Sequence, residues 1–233
     1  MDFINGNLRM IYRRYLTAAF GSALISSIYS LVDMAVVGQY QGPEGTAALA
    51  VVAPIWNLLY SLGLLTGLGG SVLFSAAKGQ SSPKAQNQFF TISLLATLLL
   101  SLISWILLHK LQTPLLQFFG ASEALLPFAN EYLKPIRFCV PIFLLNQMLA
   151  AFLRNDSNPS LATIAVLSGG IFNIFGDYYF VFIIDMGIYG AGLATTLGAG
   201  ITFLVMLIHF ATKRNTLHIS NVTFPFSILK KLS

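Results

Sequence analysis

Charge is what this sequence has least of. Only 9% of its 233 residues are Asp, Glu, Lys or Arg, against about 25% in soluble domains. Thirteen Lys+Arg and eight Asp+Glu cannot cover a water-facing surface on a chain that is 56% hydrophobic. That scarcity excludes disorder, and with it a basic nucleic-acid-binding surface. Cysteine is nearly absent: Cys139 alone rules out an intrachain disulfide and any cysteine cluster for metal, and in its apolar run it reads as a small hydrophobe. The three histidines, His109, His209 and His218, show no metal-ligand spacing. A cleavable leader is not expected either, because the first apolar stretch, Tyr15 to Val37, outruns the roughly 7–15 residues of a signal core. What is present is long apolar runs. The chain reads as an all-α integral membrane protein.

A helix needs about 20 mostly apolar residues to cross the hydrocarbon layer. Six stretches meet that length: Tyr15–Gly38, Ala47–Ala76, Gln88–His109, Tyr132–Leu153, Pro159–Ile184 and Ile188–Ala211. Polar segments separate them, the longest being KLQTPLLQFFGASEALLPFANE between the third and fourth. Asn158 and Pro159 read as the cap and first residue of the fifth helix. Pro54, Pro135 and Pro141 predict kinks.

Basic residues set the orientation. With the amino terminus inside, Arg9, Arg13, Arg14, Lys78, Lys84, Arg154, Lys213, Arg214, Lys230 and Lys231 are cytoplasmic. Lys110 and Lys134 are then external, and Arg137 sits at the outer start of the fourth span. The expected organisation is a cytoplasmic segment over 1–14, a six-helix lobe over 15–211, and a cytoplasmic tail or linker over 212–233. Both termini lie inside, so a second copy fused to the chain would insert in the same orientation.

Two carboxylates fall within these spans, Asp33 and Asp177, where a charge costs about 2.5–3.5 kcal/mol at a helix centre and usually faces an interior or a watery cavity. Asp33 ends a polar stripe of Ser22, Ser26, Tyr29 and Ser30 on the first helix. Gly169, Asn173 and Asp177 stack four apart on the fifth. Carboxylate and amide oxygens at one depth suit Na⁺, or a carboxyl that exchanges a proton. Asn146 and Gln147 on the fourth helix read equally as cavity lining or as helix–helix glue. Gly63 and Gly67 make a small-residue face for close packing, and Arg137 reads as snorkelling to the interface.

These residues resemble a known family. SLVDMAVVGQYQGPEGTAALA is similar to the first-helix signature of multidrug and toxic compound extrusion (MATE) transporters, with Val32, Asp33, Val37 and Gly38 followed by Leu49-Ala50. Gly79, Leu153-Arg154, and Asn173 with Asp177 ahead of Gly190-Ala191-x-Leu193-Ala194-Thr195 match in order. The chain departs from the pattern at Ala18, where many relatives have a proline fifteen residues before the aspartate. It departs again after Arg154, where Ser157 replaces a glycine and the aspartate comes early, at Asp156.

The resemblance implies one amino-terminal lobe of a two-lobe, twelve-helix antiporter in the plasma membrane, coupling entry of H⁺ or Na⁺ to export of organic, often cationic, drugs. The implied cation site is Asp33, Tyr29, Asn173, Asp177 and Thr195, with Gln147 and Asn146 contributing from the fourth helix. Na⁺ would sit at Asp33, Asn173 and Asp177. The implied partners are the lipid bilayer, a small organic cation, and a second lobe or second copy; no enzyme activity, nucleic acid or cofactor beyond the coupling ion is expected. A half-length chain is expected to be a fragment, a disrupted gene product or a half-size subunit. Two other readings are weaker. A lipid-linked glycan flippase of the same superfamily would need a cavity rich in Arg and Lys, for which Arg137 is the lone candidate. An intramembrane aspartyl protease would need Gly-x-Gly-Asp, where this chain has Ile174-Phe175-Gly176-Asp177.

Overall fold

The computed structural model describes residues 8–213 and 215–221, and among them every regular element is helical. The elements are α1 (Leu8–Gln41), α2 (Pro43–Gly79), α3 (Pro83–Phe118), α4 (Leu126–Ile136), α5 (Val140–Asn155), α6 (Pro159–Tyr178) and α7 (Gly187–Leu207). Six segments are long and apolar enough to cross a membrane, with α4 and α5 forming one span, Leu126–Asn155. The bundle is apolar outside as well as inside: Leu31, Leu65 and Leu204 are each about two-thirds exposed (67%, 67% and 65%). Such a surface is covered by lipid tails, which compete with no hydrophobic interior.

Proline and glycine set the boundaries. Gly42 adopts φ 74° and ψ −158°, a region open essentially to glycine alone, and Pro43 then starts α2. Pro141 lacks an N–H for the Arg137 carbonyl, so the chain tightens into a 3₁₀ turn over Arg137–Cys139 before α5 resumes. The expected break at Pro135 is displaced to this turn, and α2 continues through Pro54. The third span is longer than its apolar run. α3 loses helical dihedrals at Leu111 (φ −119°, ψ 20°), then winds on through Pro114 to Phe118. A proline in the first turn after a break sacrifices no hydrogen bond, so TPLLQF folds as helix and not as loop. α4 starts at Leu126, which confines the α3–α4 connection to residues 119–125.

Two apolar layers form the core. Val37, Val52, Leu116, Leu133 and Leu144 pack in one, and Phe74, Phe90, Met148, Phe152 and Met206 in the other. Small residues hold the helices close. A Cβ on Gly63 would lie 2.8 Å from Gln147 Cβ, and one on Gly67 2.8 Å from Met148 Cα, so the glycine face of α2 packs directly on α5.

One end of the bundle is tied by polar contacts. Asp156, in the turn between α5 and α6, is fully buried, not a free loop residue. It accepts from Lys78 Nζ at 2.7 Å, lies 2.9 Å from His209 Nε2, and accepts from the Thr216 amide at 2.8 Å and the Thr216 hydroxyl. The Asn158 side chain makes no cap on α6, contrary to expectation; it lies 3.1 Å from His209 Nδ1 instead. Pro159 does begin α6. Leu217 inserts into the core, while the amides of His218 and Ser220 donate to Asn87 and Thr91 on α3. Residues 215–220 are therefore part of the lobe.

Candidate cation site

Helices α1, α4, α6 and α7 converge on a buried polar cluster. Asp33 comes from α1, Tyr132 from α4, Asn173 and Asp177 from α6, and Thr195 from α7. The aspartates, Asn173 and Tyr132 are all buried. Tyr132 donates its hydroxyl to Asp33 Oδ2 at 2.6 Å. Asn173 directs its amide at Asp177 Oδ1 (3.3 Å) and at Thr195 Oγ1 (3.2 Å).

Packing of α6 on α7 creates this arrangement. A Cβ on Gly169 would overlap the Thr202 hydroxyl and lie 2.5 Å from the Gly198 carbonyl oxygen. One on Gly198 would lie 2.7 Å from the Gly169 oxygen, and one on Gly176 3.0 Å from Ala194 Cβ. The two backbones touch along the stripe that carries Asn173 and Asp177, which brings Thr195 to the Asn173 amide. On α4, Tyr132 is seated by Gly192 of α7, whose missing Cβ leaves room for the Tyr132 carbonyl.

Three oxygens in this cluster have no hydrogen-bond partner: Asp33 Oδ1, Asn173 Oδ1 and Asp177 Oδ2. Buried acceptors are seldom left bare, because each forfeits hydration with nothing in return. Three acceptors from three side chains, two of them carboxylates, form a donor set for a hard cation with oxygen ligands or for a proton held between carboxyls.

Residues expected at the site fall into two groups. Asp33, Asn173, Asp177 and Thr195 meet. Tyr29 lies toward the neighbouring turn, its ring 3.2 Å from where a Gly170 Cβ would stand. Asn146 donates to the Ala199 carbonyl of α7 at 2.9 Å, tying α5 to α7, with its Oδ1 buried and unpartnered. Gln147 lies against Gly63 of α2. The side chains of Ser22 and Ser26 lie outside the described residues. Tyr132 is the site residue that reading the sequence missed, since it reads there as the start of a span. The available signal was its hydroxyl: a tyrosine buried in an apolar helix needs an acceptor.

Comparison with known proteins follows the same lines. The family model described as MatE matches residues 18–179. The chain is 26% identical over 195 residues to the multidrug export protein MepA of Staphylococcus haemolyticus, covering 84% of this chain and 43% of that protein. It is 28% identical over 212 residues to the DNA damage-inducible protein F of Escherichia coli K12, covering 89% and 45%. Among solved structures, a MATE in the bent conformation superposes with a TM-score of 0.85 at 24% identity, over 95% of this chain and 50% of that one. The chain thus spans about half the length of the curated relatives it matches.

Proposed function

The chain belongs to the MatE family, a family of transporters and not of enzymes, and on that premise we propose that it supplies the coupling-cation lobe of an antiporter that exports organic, often cationic, compounds in exchange for H⁺ or Na⁺. The multidrug export relative supports the cargo class. The observation that carries the coupling role is the set of three unpartnered oxygens on Asp33, Asn173 and Asp177. In a membrane interior, two neighbouring ionised carboxylates are too costly to coexist without a proton or a metal cation between them. The cluster therefore binds one or the other. Loss of the cation leaves the carboxylates to repel across the α1–α6 contact. That is a physical route from ion occupancy to helix position, with Tyr132 extending it to α4 and Thr195 to α7.

A cation bound by the folded lobe and not by the unfolded chain stabilises it by mass action. Na⁺ or added protons should therefore raise the melting temperature of the purified protein in detergent across about pH 5–9, a range wide enough to span buried carboxyl titration. Asp177→Asn should abolish that response, whereas Glu123→Gln, on the exposed α3–α4 connection, should keep it. Identical responses from wild type and Asp177→Asn would return Asp177 to a hydrogen-bonding role and remove the cation site.

A further inference from the structure

The opposite end of the lobe from Asp156 carries a second polar feature, remote from the cation cluster. A hollow of about 390 Å³ opens between the kinked end of α3 and the face of α4. That volume falls within the range of small-molecule sites, about 300–1,000 Å³. The break at Leu111 makes it, by turning the last two turns of α3 away from the line of the helix. Asn130, Lys134 and Arg137 succeed one another at helical spacing on one wall, and Lys110 and Gln112 line the other.

Three cations and one carboxylate, Glu131, share this space. Among the described residues the ion pairs are those of Asp156 with Lys78 and His209, so none of Lys110, Lys134 and Arg137 is neutralised by a carboxylate within 4.0 Å. Aromatic rings back two of them: Lys134 lies 5.8 Å from the Tyr189 ring centre and Arg137 5.1 Å from that of Phe138. Arg137 Nε is buried without a hydrogen-bond acceptor. Gln112 gives its amide to Asn130 Oδ1 at 2.7 Å, which braces the two walls, and leaves its own Oε1 buried and unpartnered.

A buried guanidinium nitrogen in want of an acceptor, with two free ammonium groups on the same hollow, is complementary to an oxyanion bearing several acceptor oxygens. A phosphate meets that description, presenting two oxygens to the fork of an arginine and others to lysines. The unpaired Gln112 Oε1 and Glu131 then face the part of the ligand that carries a hydroxyl or ammonium hydrogen. The hollow lies where the third span ends and the fourth begins, with the exposed Phe138 packing its ring 5.8 Å from that of His109 at the rim. Headgroup phosphates occupy that depth, and the flanking ring suits an acyl chain.

We propose that this hollow between α3 and α4 is a phosphate-binding site, taking the phosphodiester of an anionic lipid headgroup or a dissolved phosphate ion. Occupancy would fasten α4, and with it Tyr132, to the kinked end of α3. The inference stands independently of the coupling-cation site.

Trp105 provides the readout, because its ring lies 5.4 Å from that of His109 on the hollow's rim. The protein contains two tryptophans, so Trp56→Phe in the full chain leaves Trp105 as the reporter. Fluorescence is followed in detergent while dioctanoyl phosphatidylglycerol or inorganic phosphate is added at constant ionic strength, with dioctanoyl glycerol as the phosphate-free control. A saturable change with the lipid alone assigns the lipid source, and one with phosphate alone assigns the free ion; both support the site. Arg137→Gln should weaken binding at least tenfold. Lys110→Gln and Lys134→Gln, at exposed positions, should each weaken it several-fold. The proposal fails if neither phosphate compound gives saturation, if dioctanoyl glycerol does as well, or if the folded Lys110→Gln/Lys134→Gln double variant binds as tightly as its parent.

Discussion

Asp156 has no place in the cation cluster, yet it joins α2, the α5–α6 turn, the end of α7 and the segment that follows through Lys78, His209 and Thr216. Burial works against its charge, but the hydrogen bonds from His209, Lys78 and Thr216 outweigh burial and hold its pKa below the ordinary 3.8. The folded value therefore lies beneath the unfolded one. The stabilisation is complete above about pH 4 and is lost as pH falls through the folded value. Asp156→Asn should lower stability by about 2–4 kcal/mol, less than the roughly 3–5 expected for a fully buried pair, because the Lys78 side chain is 33% exposed. It should also flatten the decline of melting temperature below about pH 4; a melting series in detergent from about pH 7 to about pH 3 reads both effects. A wild-type acid profile in the variant would show that the carboxylate's charge is not what the tie needs. Sequence reading places Asp156 in a solvated turn, since its partners come from about eighty residues upstream and from fifty to sixty downstream, and no local pattern joins them. Asp33 and Asp177 are the opposite case. An acid inside an apolar run is conspicuous on cost alone, and each is marked by its own helix.

At the scale of elements, length and hydropathy made the six spans legible, and Pro159 marked the start of the fifth, whereas Pro43 and Pro83, which begin α2 and α3, went unread because they precede the apolar runs. The end of the third span was not legible either. Lys110 to Gln117 contains two glutamines, a threonine and a proline, a composition that reads as loop. In the fold, Gln112 bonds to Asn130 of α4 and Leu116 is fully buried, so tertiary contacts hold as helix what local preference leaves undecided. Gly169 was read only as part of one face of the fifth helix, whereas with Gly198 of α7 it makes a backbone-to-backbone crossing. Adding a methyl group at that crossing must push the helices apart. Gly169→Ala should therefore cost about 1–3 kcal/mol by overpacking and loosen the Asn173–Thr195 bond on which the cation cluster depends. Gly200→Ala, one turn of α7 away from Thr196 and with open space around its Cβ, should be neutral or gain up to about 1 kcal/mol from helix propensity alone. Paired melting curves test the contrast. Equal effects at the two positions would mean that α6 and α7 do not cross at Gly169.

For the whole molecule, the structure establishes which connections share an end of the bundle, and the distribution of basic residues predicts which end faces the cytoplasm. The α2–α3 turn, the α5–α6 turn and residues 215–220 meet around Asp156, Gln86 and Asn87. The opposite end holds the α3–α4 connection and the α6–α7 turn, where Tyr40 of α1 donates to Asp185 at 2.8 Å. Lys78, Lys84, Arg154 and Lys213 belong to the first end, and Lys110 and Lys134 to the second. The Arg14 side chain, Arg214, Lys230 and Lys231 lie outside the described residues. Because basic residues are retained on the cytoplasmic side of short loops, the Asp156 end is assigned to the cytoplasm, and the hollow beside Arg137 faces out. Replacing the single cysteine by Cys139→Ala and introducing one cysteine at a time tests the assignment. Gln80→Cys and Ser122→Cys lie at exposed positions on opposite ends. A membrane-impermeant maleimide should label Ser122→Cys in intact cells, and should reach Gln80→Cys only after the membrane is permeabilised. The reverse pattern would invert the lobe, bring the phosphate hollow to the cytoplasmic leaflet, and require that something other than basic residues orient this chain.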